Sequence, residues 1–187
     1  CIRDSLDSLD VKMARLVGHS QGCLVAIDAT ARYPERVSRL GLIAGALAIP
    51  VNDQLLTMSD EALGKAISVM TSWGHGSMGH MHDNTQPGHS FLGYGKRLMT
   101  SNHADALRND LKACNNYSGG KRAAAKKAQP AMSLLAESDR RTPITFGMGM
   151  ADSLVNSERG IMNGAGHMLP AERPAEVNDA LRHFLSS

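Results

Sequence analysis

The chain has 187 residues, of which 42% are hydrophobic and 20% charged, and its net charge is +2. That length supports one domain with its own core, and so small a net charge excludes the broad basic surface that a nucleic-acid partner requires. No run of 18 apolar residues occurs, which excludes a membrane-spanning helix.

Three widely spaced cysteines, Cys1, Cys23 and Cys114, form no disulfide framework and point to a reducing, cytoplasmic location. The residues that open the chain, with Ile2, Leu6 and Leu9 spaced by four and three, read as a short helix. An apolar strand is expected over 13–19 and a helix over 21–33, ended by Tyr33-Pro34, because a residue before proline avoids helical geometry. Between them lies Gly18-His19-Ser20-Gln21-Gly22. A G-x-S-x-G on a strand-to-helix turn holds its serine in a strained conformation and lifts the hydroxyl to where a base can reach it. Both glycines are expected to be required for clearance between strand and helix. A second strand over 37–44 completes a β-α-β unit, which crosses over right-handed to a parallel neighbour.

From 46 to 128 no strand is expected. Residues 60–73 read as a helix capped by Ser59 or Asp60, 101–115 as a second and 121–128 as a third. Met58, Leu63, Met70, Trp73, Phe91, Leu92, Met99 and Leu107 are the apolar residues from which a pocket could be lined; packing against one another is the plainer role. The Gly- and His-rich stretch 73–83, with His89 beyond it, has ligand-like residues but no tetrahedral zinc spacing. No metal is expected there; a mobile hinge, or one histidine bonding a substrate, is the reading preferred.

Two further strands are expected over 131–136 and 158–162, giving four parallel strands, and a helix over 174–185 with Pro174 in its first turn. Asp139 follows the third strand in a polar turn, with Glu137 as its competitor. His167 follows the fourth, in the Gly-rich loop Gly164-Ala165-Gly166. The order Ser20…Asp139…His167 is that of one particular fold solution to the serine–histidine–acid constellation.

With GHSQG, ESDRRTP and GAGHMLPAERPAEV, the chain resembles the α/β-hydrolase superfamily from about residue 10 to its C-terminus, most loosely in the middle third. The resemblance implies a parallel sheet flanked by helices, divided into core residues 1–45, a helical cap over 46–128 and core residues 129–187. It implies Ser20 as nucleophile, His167 as general base and acid, Asp139 as the group that orients the imidazole, and the Gln21 N–H as an oxyanion donor. His19, Trp73 and Met168 are the expected substrate contacts. The expected partner is a small molecule and no cofactor is called for. Cleavage of a small carboxylic ester leads; carbon–carbon, lactone or amide cleavage, or a silent binding protein, are the alternatives. The family places four strands and a helix before its nucleophile, whereas Ser20 comes twenty residues in. The chain is therefore expected to be the C-terminal two-thirds of a longer enzyme, with an open edge on its first strand, poor solubility and little activity by itself.

Overall fold

The computed structural model describes residues 2–81, 90–126 and 129–186. Helix α1 (Ile2–Ser8) leads to strand β1 (Ala14–His19), helix α2 (Gln21–Arg32), a single 3-10 turn at Pro34–Arg36 and strand β2 (Val37–Ile43). Six helices follow: α3 (Asp53–Glu61), α4 (Leu63–Gly74), α5 (Ser77–Met81), α6 (Phe91–Thr100), α7 (Ala104–Asn116) and α8 (Gly120–Ala125). The sheet resumes with β3 (Ala131–Ala136), helix α9 (Ile144–Asp152) and β4 (Ser157–Met162). It is closed off by the short α10 (Leu169–Glu172) and by α11 (Pro174–Ser186).

All three strand pairings are parallel and the spatial order is β1-β2-β3-β4, with Leu16 opposite Leu40, Leu42 opposite Ser133 and Leu134 opposite Gly160. Every residue of β3 is buried, as a central parallel strand covered on both faces must be. Cys23 and Ile27 of α2, Leu40 and Leu42 of β2, Ala124 of α8 and Met150 of α9 pack into one cluster. Ile43, Leu134, Leu169, Val177 and Phe184 form the other, which seats α10 and α11 on the opposite face of the sheet. Strand β1 is an edge, and its Val17 is 45% exposed.

The middle segment has its own apolar centre, in which Leu55, Ala66, Met70 and Leu111 pack with Trp73 and Leu107. Its helices depart from the sequence reading. The expected helix 60–73 is two helices, broken at Ala62, whose backbone leaves the helical region (φ −146°, ψ 58°). The cap of α3 is Asn52, whose side-chain oxygen accepts from Leu55 N at 2.8 Å, while Ser59 and Asp60 lie inside that helix. The expected 101–115 helix begins at Ala104 after a separate helix, α6, that was not foreseen. Helix α8 packs against the sheet core through Ala123 and Ala124 rather than with the other middle helices. Helix α9 was also missed. Gly147 and Gly149 weaken its helical pattern, yet a Cβ at Gly147 would stand 2.6 Å from Leu135 Cδ2, so close packing on β3 explains glycine there.

Candidate active site

Ser20 sits between β1 and α2 with φ 56° and ψ −122°, in the left-handed region that L-residues rarely occupy. Its N–H donates to Ile43 O at 2.9 Å and its carbonyl accepts from Cys23 N at 2.9 Å, so neighbours on both sides fix the turn. A Cβ at Gly18 would stand 2.3 Å from Gly22 O, which makes glycine obligatory. At Gly22 a Cβ meets nothing within 4 Å. The expectation that both glycines provide clearance is thus corrected: one side of the turn is crowded and the other open. Gln21 opens α2, so its backbone N–H is among the first-turn donors that lack an intrahelical acceptor, beside the serine. Beneath the turn, burial pushes the Cys23 thiol up to about 12, and its Sγ donates to Gly18 O at 3.2 Å.

The turn after β3 is built around Asp139. Its Oδ1 accepts from the backbone N–H groups of Arg141 and Thr142, each at 2.8 Å, and its Oδ2 accepts from His167 Nδ1 at 2.8 Å. The Thr142 hydroxyl lies 2.7 Å from Oδ2, 2.8 Å from Ala44 O and 3.2 Å from His167 Nδ1, bracing both members of the pair. Burial by itself would raise the Asp139 carboxyl, but the hydrogen bonds from His167 and Thr142 outweigh it and hold the group below the usual carboxylate range. Glu137, the competitor, faces elsewhere: it is exposed and its Oε2 accepts from Gly164 N at 2.9 Å.

His167 is fully buried. Burial is the main cause that lowers it to about 4; the bond to Asp139 opposes this and the charge of Arg141 adds to it. Because Nδ1 faces a carboxylate and must donate, the neutral ring carries its lone pair on Nε2. Among the described residues that nitrogen has no hydrogen-bond partner. No hydrogen bond joins it to Ser20 in this resting arrangement; the two side chains share the wall of one cavity of about 450 Å³.

His19 also lines the cavity, but its Nε2 is spent on the His167 carbonyl at 2.8 Å, and its ring lies 5.0 Å from that of His167. Trp73 and Met168 lie on the same wall, as do Met70, Met99 and Leu107. Met58, Leu63, Phe91 and Leu92 do not: Met58 packs in the helical centre and Phe91 stacks on His75 at 6.0 Å. The glycine-rich stretch is packed at Gly74 and Gly76. Met168 N donates to Gly74 O at 2.8 Å, and a Cβ at Gly76 would stand 2.8 Å from Gly166 N. His75 is buried and its Nδ1 donates to Thr71 O at 3.0 Å. Among the described residues no group of three His, Cys, Asp or Glu could hold a metal ion; His82, Asp83 and His89 lie outside them.

Three residues escaped the sequence reading. Thr142 and Arg141 are adjacent to the acid, in a turn read only as a loop. Glu172 is buried, and its Oε2 accepts from both Gly76 N and Gly166 N at 3.0 Å. A glutamate between Pro170 and Pro174 was the available signal.

A family model described as the alpha/beta hydrolase family matches residues 4–180. The chain belongs to the alpha/beta hydrolase family. It is 23% identical to the uncharacterized hydrolase YugF of Bacillus subtilis (strain 168), over 96% of this chain and 68% of that one. The enol-lactonase from Burkholderia xenovorans LB400 superposes with a TM-score of 0.88 at 17% identity, covering 100% of this chain and 70% of the other. A thermophilic esterase superposes at 0.81 with 27% identity, covering 98% and 69%. This is accordingly a hydrolase-type chain, and among the described residues no helix is long and apolar enough to cross a membrane.

Proposed function

We propose that this hydrolase is a serine esterase that cleaves a small carboxylic ester through an acyl-enzyme. The observation that carries the reading is the His167 imidazole, neutral and fixed by Asp139 at one nitrogen, with its other nitrogen bare on the cavity wall that also holds Ser20. In the reaction the Ser20 oxygen attacks the ester carbonyl while Nε2 takes the hydroxyl proton. The Gln21 N–H and the positive end of α2 stabilise the oxygen as it becomes negative. The carbonyl then re-forms, the bond to the alcohol breaks, and the imidazolium returns its proton to that alcohol. Water repeats the sequence, with His167 again as base, and frees the acid and Ser20. Asp139 remains ionised throughout, orienting the ring and offsetting the charge that Nε2 acquires.

Helices α3 to α7 act, in this reading, as a cap over the site. Trp73 and Met168 contact the substrate, while His19 holds the His167 backbone. Helix α8 counts with the sheet, since its alanines pack there. Cys23 and Cys114 are free thiols, in keeping with a cytoplasmic setting.

The test is labelling by a fluorophosphonate probe together with hydrolysis of p-nitrophenyl valerate. The chain should take up probe in proportion to its ester-cleaving activity, and Ser20→Ala should lose both. Equal labelling or turnover in Ser20→Ala sinks the reading.

A further inference from the structure

We propose that Arg141 is the anion-recognition residue of the Ser20–His167 cavity and that the substrate carries a carboxylate. This rests on the hydrolase reading above and names the substrate class it leaves open. The Arg141 backbone is fixed by its N–H bond to Asp139 at 2.8 Å. Arg141 lines the cavity together with apolar residues such as Leu98, Met99 and Leu107. A side chain at Gly74 would come within 3.8 Å of Arg141 Nη1 and 3.4 Å of Met168 Cγ, which puts the guanidinium beside that substrate-facing methionine. Among the described residues this guanidinium makes no hydrogen bond and no ion pair. Arg141 is partly buried, and a cation shielded even in part from water normally finds a partner, because leaving it alone is costly.

The nearby anions do not provide one. Asp139 lies too far for an ion pair and is committed to His167, Thr142 and two backbone N–H groups. The Cys114 thiol is raised by burial and stays uncharged. Asp110 lines the cavity without pairing with Arg141. Burial meanwhile presses the guanidinium below its ordinary value, and its charge is one of the causes that lower His167. A ligand carboxylate answers both strains. Its two oxygens match the guanidinium fork, and its negative charge offsets the part that Arg141 plays in opposing proton uptake at Nε2, burial being the larger cause. Arg140 lies on the same wall but is exposed to solvent, where an ion pair contributes little.

The experiment compares kcat/KM for mono-p-nitrophenyl glutarate with that for neutral p-nitrophenyl valerate. The ratio should exceed about tenfold in the unaltered chain, fall by about tenfold to a hundredfold in Arg141→Met, and recover in part in Arg141→Lys. Circular dichroism confirms that each variant is folded. A ratio near one in the unaltered chain, or one lost in Arg140→Met but kept in Arg141→Met, overturns the proposal. Binding is read separately in Ser20→Ala by titrating monomethyl glutarate against the fluorescence of Trp73, the single tryptophan. Saturable binding, weakened at least tenfold by adding Arg141→Met, supports the anion site even if neither ester is cleaved. In that case the esterase reading alone has failed. Absence of binding overturns the anion site whether or not esters are cleaved.

Discussion

Asp139 Oδ2 and His167 Nδ1 lie 2.8 Å apart in a pair whose side chains are shielded almost completely from solvent. The acid comes from the turn after β3 and the base from the loop after β4, so the parallel pairing of those two strands is what brings them together. Asp139→Asn can present an N–H to the ring and thereby favour the wrong tautomer. We expect kcat to fall about a thousandfold to ten-thousandfold with KM little changed, as initial rates on an activated ester would measure.

Burial keeps His167 neutral, and this has a defined sign in stability. Between the ordinary value of 6.5 and the folded value of about 4, the unfolded chain binds a proton that the folded chain refuses. Stability should therefore drop as pH falls through that window, by up to about 3 kcal/mol at about 1.4 kcal/mol per pH unit. The Asp139 contribution is lost lower still, below 3.8. Urea unfolding between pH 4 and 7.5 should show the slope, and His167→Asn should flatten it.

The two glycines of the elbow should behave differently. Gly18→Ala forces a methyl against the Gly22 carbonyl and should cost about 3 kcal/mol, the upper part of the overpacking range. Gly22→Ala has open space and sits in a helix, so its effect should lie within about 1 kcal/mol of neutral. Thermal melting of the two variants separates them.

Part of this was legible from the sequence because the central strands are apolar runs: Val37–Ile43 and Ala131–Ala136 stand between turn residues, and Asp139 follows the second of them. Strand β4, Ser-Glu-Arg-Gly-Ile-Met, has only two apolar residues, and the Gly-rich loop after it is what marks His167. What stayed hidden depended on contacts between distant segments. The break at Ala62 carries no proline or glycine. Helix α9 holds two glycines that only the proximity of Leu135 explains. The carboxylate of Glu172 reaches across to Gly76, a contact with no local signature. The asymmetry of Gly18 and Gly22 is likewise invisible in a motif that writes the same letter twice.

Glu172 offers a further test. Glu172→Leu removes the acceptor shared by Gly76 and Gly166 and leaves two buried N–H groups unpaired, which costs about 1–3 kcal/mol each. Turnover should fall more than substrate affinity, since the loss loosens the His167 loop. Glu172→Gln keeps a carbonyl oxygen for both donors and should restore most of kcat, a rescue that steady-state kinetics would reveal.

Phe184 anchors α11 against the sheet at 2% exposure. Phe184→Ala should cost about 3–5 kcal/mol in denaturant unfolding, and because it shares a cluster with Ala165 and Leu169 on either side of His167, the loss should also loosen that loop.

The shared carboxylate at Gly76 and Gly166 welds two loops whose positions are 90 residues apart. Where the Gly76 and Gly166 backbones meet, one side-chain carboxylate takes both N–H groups, and a Cβ on either glycine would collide with the opposite backbone. Exposed positions of α6 such as Leu98 can change the cavity wall at little cost to packing, whereas a change at the weld would move the loop that carries His167. Under the proposed reaction, substrate preference is then free to vary at the far wall and is pinned at the near one.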